Sequence, residues 1–236
     1  MKNLHYLFIV LLLSACASSS QIFQDINKHL GLDEGGYTEA EAGEGIRQAL
    51  IKGISEGVQE VGQLDGYFKN PQIKIPFPPE AVKIENTLRD IGLGNEVDKV
   101  TLTLNRAAED AAIGAKDIFI SAIKQLTFQD AVAIVTGEEN AATEFLRRTT
   151  SDQLTERFKP VISNSLDKVN ATKYWGDAFN TYNRIPLVQK LNPDLEGYVT
   201  QKAIDGLFVM VAKEEKAIRE NPAERTTEIL RKVFGG

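Results

Sequence analysis

The sequence has very few of the residues that carry redox, nucleophilic or metal chemistry. Its 236 residues include one cysteine, Cys16, and two histidines, His5 and His29. Zinc sites are built from several Cys or His ligands, and a Ser-His-Asp triad needs a histidine as its base. The glycine-rich signatures of P-loop and dinucleotide-binding proteins are absent as well. We therefore expect no metal, no cofactor and no histidine-based catalysis, and no residue is assigned a catalytic role.

Positive charge and long apolar runs are also scarce. The chain has 27 Lys and Arg against 33 Asp and Glu, for a net charge of −6. Binding to nucleic acid depends on clustered basic residues, so nucleic acid is not an expected partner. The N-terminal apolar run at residues 7–13 is far shorter than the about 20 residues that a membrane-spanning helix needs.

The first 16 residues have the order of a secretory signal, with Lys2 before the apolar run and small residues after it. The run ends in Leu-Ser-Ala-Cys at residues 13–16, which resembles the end of a bacterial lipoprotein signal. This resemblance implies cleavage before Cys16 and acylation of its sulfur and amine. We therefore predict a lipoprotein signal peptide over residues 1–15 and a lipid anchor at Cys16; the alternative is an ordinary cleaved signal with a chance cysteine.

Two regions are expected after the anchor. Residues 16–37 are serine-rich at the front and broken by glycines at the back, which predicts a lipidated, disordered tether. From residue 38 to residue 236 apolar residues recur at helical spacing, and no run favours a sheet. The sequence therefore predicts an all-α fold, with one domain of about seven to nine helices and a proline-rich extended arm.

The first half of this domain carries two features that predict close packing. Gly53 and Gly57 lie on the apolar face of a helix that begins after Thr38, where they favour close approach of another helix. The segment 70–80 contains four prolines and predicts an extended arm. Its P-x-x-P pattern is of a kind that partner grooves bind, but we favour an arm packed on its own domain.

A long helical run over residues 95–126 holds small and charged residues together. Gly114 is expected to bend it, and an alanine-rich stretch over residues 107–115 favours helix contact. Arg106 and Asp110 are expected to form an i, i+4 ion pair. Together with Asn105 and Glu109 they would make a polar site inside the bundle, although an exposed or pairing face is the preferred interpretation.

The second half is punctuated by capping signals. A helix is expected to end near Arg148, and Thr150 with Gln153 predicts a new helix start, followed by a kink or break at Pro160. The aromatic stripe of Trp175, Phe179 and Tyr182 is expected in the core rather than at a ligand.

The C-terminal part predicts two helices. A long amphipathic helix is expected from Asp194, with residues 213–216 on its solvent face. Asn221, Pro222 and Glu224 then predict a further helix start.

Nearly everything after Thr38 resembles the bacterial lipoproteins of domain-of-unknown-function family 4197. The most specific pieces are NPQIKIPFP, LNRAAEDAA, FLRRTTSDQL and the C-terminal stretch that begins IDGLFVMVAKEEK. The resemblance implies a helical envelope protein and supplies no activity. Ala17 after the cysteine is not aspartate, which by analogy favours the periplasmic face of the outer membrane.

The expected function is that of a non-enzymatic interaction or scaffold module, held to the membrane by lipid and binding another envelope protein. A carrier of lipid or another apolar ligand is the first alternative, and a carboxylate-based envelope hydrolase is the second. The candidate polar or partner site consists of residues that would have to gather in space: Arg106, Asp110, Arg147, Arg148, Arg219 and Arg225.

Overall fold

The chain folds into α-helices joined by short turns and one extended arm. The structure is a computed structural model that describes residues 39–168, 170–184 and 194–220. This part contains no strand, which confirms the all-α class, and its eight α-helices agree with the predicted number. Cys16, the tether, the helix predicted after Asn221 and Arg225 lie outside the described residues. The helices are α1 (Glu39–Val61), α2 (Val82–Asp90), α3 (Gly94–Ala112), α4 (Ala115–Lys124), α5 (Phe128–Thr136), α6 (Ala141–Asp167), α7 (Ala171–Tyr182) and α8 (Leu195–Glu220).

Helix α8 packs against α6, α1 and α3. Its apolar residues at three- and four-residue spacing are buried, as the sequence predicted. One cluster of buried apolar side chains joins α1, α3, α4, α6 and α8, so the described helices share a single core. Phe119 of α4 meets Phe208 of α8 edge to face, with ring centroids 5.7 Å apart.

Glycines let α1 and α8 lie close together. A Cβ atom on Gly53 would stand 2.6 Å from Cδ1 of Ile218, and one on Gly57 would stand 3.0 Å from Cγ of Glu214. Both distances are tighter than ordinary carbon contacts, so a larger residue at either position would require the Ile218 or Glu214 side chain to move. The predicted role of Gly53 and Gly57 in helix approach is confirmed.

The predicted long run over residues 95–126 is interrupted where a bend was expected. Helix α3 ends at Ala112 and α4 begins at Ala115, on either side of Ile113 and Gly114. The alanines expected at helix contacts are all buried: Ala107, Ala108, Ala111, Ala112 and Ala115.

Among the described residues no single helix is long and apolar enough to cross a bilayer. One pair of helical segments, Gly94–Lys124 and Phe128–Thr136, is long and apolar enough when taken together, but the pair is bent by 108°.

Helix α6 corrects the capping prediction for the second half of the chain. It is continuous from Ala141 to Asp167, so the expected end near Arg148 and restart at Thr150 are wrong. The Thr150 hydroxyl is buried and donates to the carbonyl of Leu146 at 2.6 Å, a bond that satisfies a threonine inside a helix. Pro160 also lies inside α6, on an exposed side where water can bind the carbonyl that its missing N–H leaves free.

The proline-rich arm packs on its own domain. Ile73, Ile75 and Phe77 are buried, whereas Lys74 and Pro76 between them are exposed. The Phe77 ring contacts the buried Trp175 of α7 at a centroid distance of 5.8 Å. This confirms the packed arm and the core position of Trp175; the side chains of Phe179 and Tyr182 lie outside the described residues.

Candidate functional site

Helix α3 holds the arm through a buried amide. Asn105 accepts a hydrogen bond from the Ile75 N–H at 2.8 Å and donates to the Ile75 carbonyl at 2.9 Å. It also donates to the Thr101 carbonyl at 2.8 Å, so one fully buried side chain makes three hydrogen bonds to main chain. A buried polar group that is satisfied in this way fixes the position of the segment it binds.

One turn further along α3, Glu109 holds the turn that follows α1. Glu109 is 3% exposed, and its carboxylate accepts hydrogen bonds from the main-chain N–H groups of Tyr67 at 3.0 Å and Phe68 at 3.1 Å. The Arg106 guanidinium donates to Glu109 at 2.5 Å and to Asp65 at 2.6 Å. The buried carboxylate is therefore both charge-paired and hydrogen-bonded.

The predicted pair of Arg106 with Asp110 is wrong. Asp110 is exposed, and the Arg106 side chain turns instead toward Glu109 and toward Asp65, which lies 41 residues earlier. Hydrogen bonds from Lys69 and Arg106 lower the pKa of Asp65 below its usual range. Asp65 has a φ of 72°, a conformation that Asp tolerates better than most residues, and this tight turn brings its carboxylate to α3.

Tyr67 anchors the same turn to α8. Its ring is fully buried and its hydroxyl donates to the Ala203 carbonyl at 2.6 Å. Burial, and then the neighbouring Glu109 carboxylate, raise the pKa of Tyr67 far above its usual value. The phenol is therefore a structural donor rather than an ionisable group at physiological pH.

A surface groove lies beside the arm and has the Phe68 ring in its wall. The groove measures about 460 Å³, and its lining consists of Phe68, Lys74, Pro76, Phe77, Glu85, Arg89, Asp98 and Thr101. The Lys74 ammonium stands 4.4 Å from the Phe68 ring centroid. A second depression of about 390 Å³ adjoins it, since both are lined by Phe68 and Asp98.

Charges on the far wall of this groove are paired with each other. Arg89 contacts the carboxylates of Glu85 at 3.0 Å and Asp98 at 2.9 Å, which joins α2 to the first turns of α3. Arg89 and Asp98 are exposed and Glu85 is half-buried, so the ion pairs stabilise the fold only weakly. The groove therefore has a partly exposed aromatic ring, Phe68, with the Lys74 ammonium close to it. The extended main chain of the arm lies beside the ring.

Glu215 of α8 corrects the predicted solvent face over residues 213–216. It is only 8% exposed and accepts hydrogen bonds from the N–H groups of Ala142 at 3.0 Å and Thr143 at 2.8 Å, and from the Thr143 hydroxyl at 2.7 Å. These N–H groups belong to the first turn of α6, where a carboxylate satisfies unpaired donors and interacts favourably with the helix dipole. Glu215 therefore caps α6 from another helix.

Arg219 extends this cap to a second helix end. It donates to Glu215 at 2.8 Å and to the carbonyls of Ile134 at 2.7 Å and Val135 at 3.3 Å in the last turn of α5. One ion pair on α8 therefore binds the C-terminal end of α5 and the N-terminal end of α6. The i, i+4 spacing of Glu215 and Arg219 was visible in the sequence, but the helix ends that they bind were not.

The other predicted arginines have different neighbours. The Arg147 guanidinium lies 4.4 Å from the Phe208 ring centroid and 4.0 Å from Asp205. The Arg148 guanidinium lies 5.7 Å from the Phe145 ring on its own helix. Arg106, Arg147, Arg148 and Arg219 thus contact four separate sets of residues, and a shared anion or partner site that also includes Arg225 stays a prediction.

An apolar cleft lies next to the Glu215–Arg219 pair. It encloses about 30 Å³, and its lining comes from α1, α5, α6 and α8: Ala49, Leu50, Gly53, Ile54, Ile134, Ala142, Val211, Glu214, Glu215, Ile218 and Arg219. Ligand pockets usually measure about 300–1,000 Å³. The cleft therefore has no room for an acyl chain.

Among the residues that the structure describes, no group of three or more His, Cys, Asp or Glu is placed to hold a metal ion.

Comparisons with known proteins place the chain in a family. Neither the curated proteins nor the solved structures contain a match to the chain. The model of the family described as protein of unknown function (DUF4197) matches residues 36–235. The chain therefore belongs to the DUF4197 family.

Proposed function

We propose that the protein is an envelope lipoprotein whose helical body binds another envelope protein and performs no catalysis. Its anchor would be the acylated Cys16 at the end of the Leu-Ser-Ala-Cys box. One acyl chain holds a protein only marginally, whereas several chains hold it stably, because each buried methylene contributes about 0.8 kcal/mol. The tether over residues 16–37 would let the body reach partners near the periplasmic face of the outer membrane.

The observation that carries the binding role is the groove beside the arm. Aromatic side chains and arginine are enriched at protein interfaces, and a few such residues carry most of the binding energy. Phe68 has this character: its partly exposed ring has the Lys74 ammonium at 4.4 Å and the Arg106 guanidinium at 5.8 Å. The groove is held rigidly, since Asn105 fixes the arm on one side and Glu109 fixes the Phe68 main chain on the other.

The hydrogen bonds of two buried glutamates argue against their use in a carboxylate hydrolase. Glu109 and Glu215 are the buried carboxylates of the described residues, and each accepts hydrogen bonds from two main-chain N–H groups and from an arginine. A general acid or base must come within hydrogen-bond reach of a substrate, whereas these two carboxylates are buried and bonded inside the fold. A lipid carrier needs a cavity far larger than the 30 Å³ of the apolar cleft.

The test of this proposal is capture of the lipidated protein from its native envelope with three matched forms. We expect one co-purifying envelope protein with the unaltered chain, strongly reduced recovery with Phe68→Ala, and unchanged recovery with Ile113→Ala. Ile113 is a suitable control because it is an apolar residue 65% exposed at the α3–α4 break, outside the groove. Thermal unfolding of the purified variants must show that Phe68→Ala remains folded at the assay temperature.

Two results would contradict the proposal. Equal recovery with Phe68→Ala and the unaltered chain would remove the groove from the interface. Bound lipid in place of a protein partner, detected by mass spectrometry of the purified body, would favour the carrier alternative instead. The Cys16→Ser form separates the two requirements, because it should leave the membrane and yet bind the purified partner in solution.

A further inference from the structure

Helix α2 differs from the other described helices because none of its residues is buried. Its apolar residues Ile84 and Leu88 are only half-buried where they pack against the core. Each of the other described helices has at least one buried residue. A segment with few buried apolar contacts opens at a low cost in free energy. Among the described helices, α2 is therefore the one that burial holds most weakly.

Fixed residues lie on both sides of this segment. Ala81, just before α2, is fully buried, and Val97, near the start of α3, is 1% exposed. Between them no residue from 82 to 96 is buried. The turn after α2 contains Gly92, which has a φ of 88° and around which a Cβ atom would meet nothing within 4 Å. The weakly held segment thus has clear limits, and its turn is surrounded by open space.

An exposed ion pair connects this segment to α3. The Arg89 guanidinium contacts Glu85 of its own helix at 3.0 Å and Asp98 of α3 at 2.9 Å. Of these two contacts, only the one with Asp98 joins the two helices. Arg89 is 39% exposed and Asp98 is 66% exposed, so their pair is weak and sensitive to salt. Such a pair favours one position of α2 without locking it.

The same helix forms part of the groove beside the arm. Glu85 and Arg89 line the groove from α2, and Phe68 lines it from the turn that follows α1. The Phe68 main chain is fixed by Glu109, and the arm is fixed by Asn105. A movement of α2 therefore changes the width of the groove while the aromatic ring and the arm stay in place.

We infer that α2 is a lid on this groove, held closed by the ion pair between Arg89 and Asp98. When the pair separates, residues 82–96 move away from α3 as a unit and the groove widens. The lid is a property of the free chain, whereas its role in admitting a partner rests on the proposed function. A partner that needs the wide groove binds with an affinity reduced by the fraction of chains that are open.

Amide hydrogen exchange of the purified chain tests whether α2 opens on its own. We expect the amides of residues 86–91 to exchange at least about ten-fold faster than those of residues 104–112 in α3, and still more slowly than in an unfolded chain. Equal protection of the two ranges would overturn the inference, because α2 would then open only with the whole bundle. Exchange at the rate of an unfolded chain would overturn it as well, since no closed state would exist.

A charge reversal at position 98 tests the ion pair. Asp98→Lys should speed exchange over residues 86–91 by about five-fold, because the pair is lost and repulsion from Arg89 is added. Asp110→Lys makes the same charge change at an exposed position of α3 and should leave this exchange unchanged. The double variant Arg89→Glu/Asp98→Lys should slow the exchange again, because the two charges are opposite once more.

Two results would overturn the role of the ion pair. One is unchanged exchange over residues 86–91 in Asp98→Lys, and the other is a double variant that exchanges as fast as the single one. These measurements need no partner, so they decide the inference even if the capture experiment finds no bound protein. Conversely, a rigid α2 would leave the binding role of Phe68 intact.

Discussion

Replacement of Glu215 by alanine is the sharpest test of how the bundle is held together. The substitution removes the carboxylate that accepts hydrogen bonds from Ala142 N–H, Thr143 N–H and the Thr143 hydroxyl, and it removes the ion pair between Glu215 and Arg219. The loss of a helix cap costs about 1 kcal/mol, and removal of one partner from a buried ion pair costs about 3–5 kcal/mol.

The lower end of this range is expected for Glu215→Ala. Arg219 keeps its hydrogen bonds to the Ile134 and Val135 carbonyls and is 15% exposed, so its charge is not stranded in a dry site. We therefore expect a loss of about 3 kcal/mol in the free energy of unfolding, which corresponds to a fall in melting temperature of about 6–12 °C for a domain of this size.

The assay is urea unfolding of the mature chain, followed by far-ultraviolet circular dichroism. The matched control is Glu220→Ala on the same helix, which removes an exposed ion pair with Lys216 whose members are each 59% exposed. That control should change the free energy of unfolding by about 0.5 kcal/mol or less. If Glu215→Ala is no more destabilising than Glu220→Ala, the bridge between α5, α6 and α8 does not stabilise the fold as argued.

Three further predictions concern other polar contacts. Asn105→Ala should lower the free energy of unfolding by about 2–3 kcal/mol because it strands buried main-chain groups of the arm, whereas Asn95→Ala at an exposed position should have little effect. Tyr67→Phe should cost about 1 kcal/mol in the same urea assay, and no loss would mean that its hydrogen bond to α8 is not needed. Thr127→Ala should cost about 1 kcal/mol by removing the cap of α5. Hydrogen bonds from Thr127 lower the pKa of Asp130. The ionised Asp130 therefore stabilises the fold above the ordinary aspartate pKa, and this stabilisation is lost as the pH falls through the lowered pKa. In Thr127→Ala the free energy of unfolding should depend less on pH in this acid range.

Features that depend on short stretches of chain could be predicted from the sequence. The apolar face of α8 follows from spacing alone, and so does the exclusion of helix from the four-proline arm. The role of Gly53 and Gly57 could be predicted because two small residues on one apolar helix face favour the close approach of another helix. For the apolar face of α8 and for the arm, the physical cause lies within a few residues of its effect.

Features that depend on distant partners could not be predicted. Glu215 stands in a run of four charged residues that is typical of a solvent face, but the N–H groups it binds lie more than 70 residues earlier. Arg106 has an acid at both i+3 and i+4, and its observed contacts include Asp65, which lies 41 residues earlier in the sequence. The helix start predicted at Thr150 was wrong for a local reason. The same residue pattern also occurs inside long helices, where the threonine hydroxyl donates to a carbonyl one turn earlier.

The most direct test of the account is intact mass spectrometry of the protein extracted from its native membrane. We expect a chain that begins at Cys16 and carries lipid on the sulfur and on the amine of this residue. A chain that still begins at Met1 with an unmodified cysteine would contradict the proposed anchor and, with it, the proposed role at the membrane.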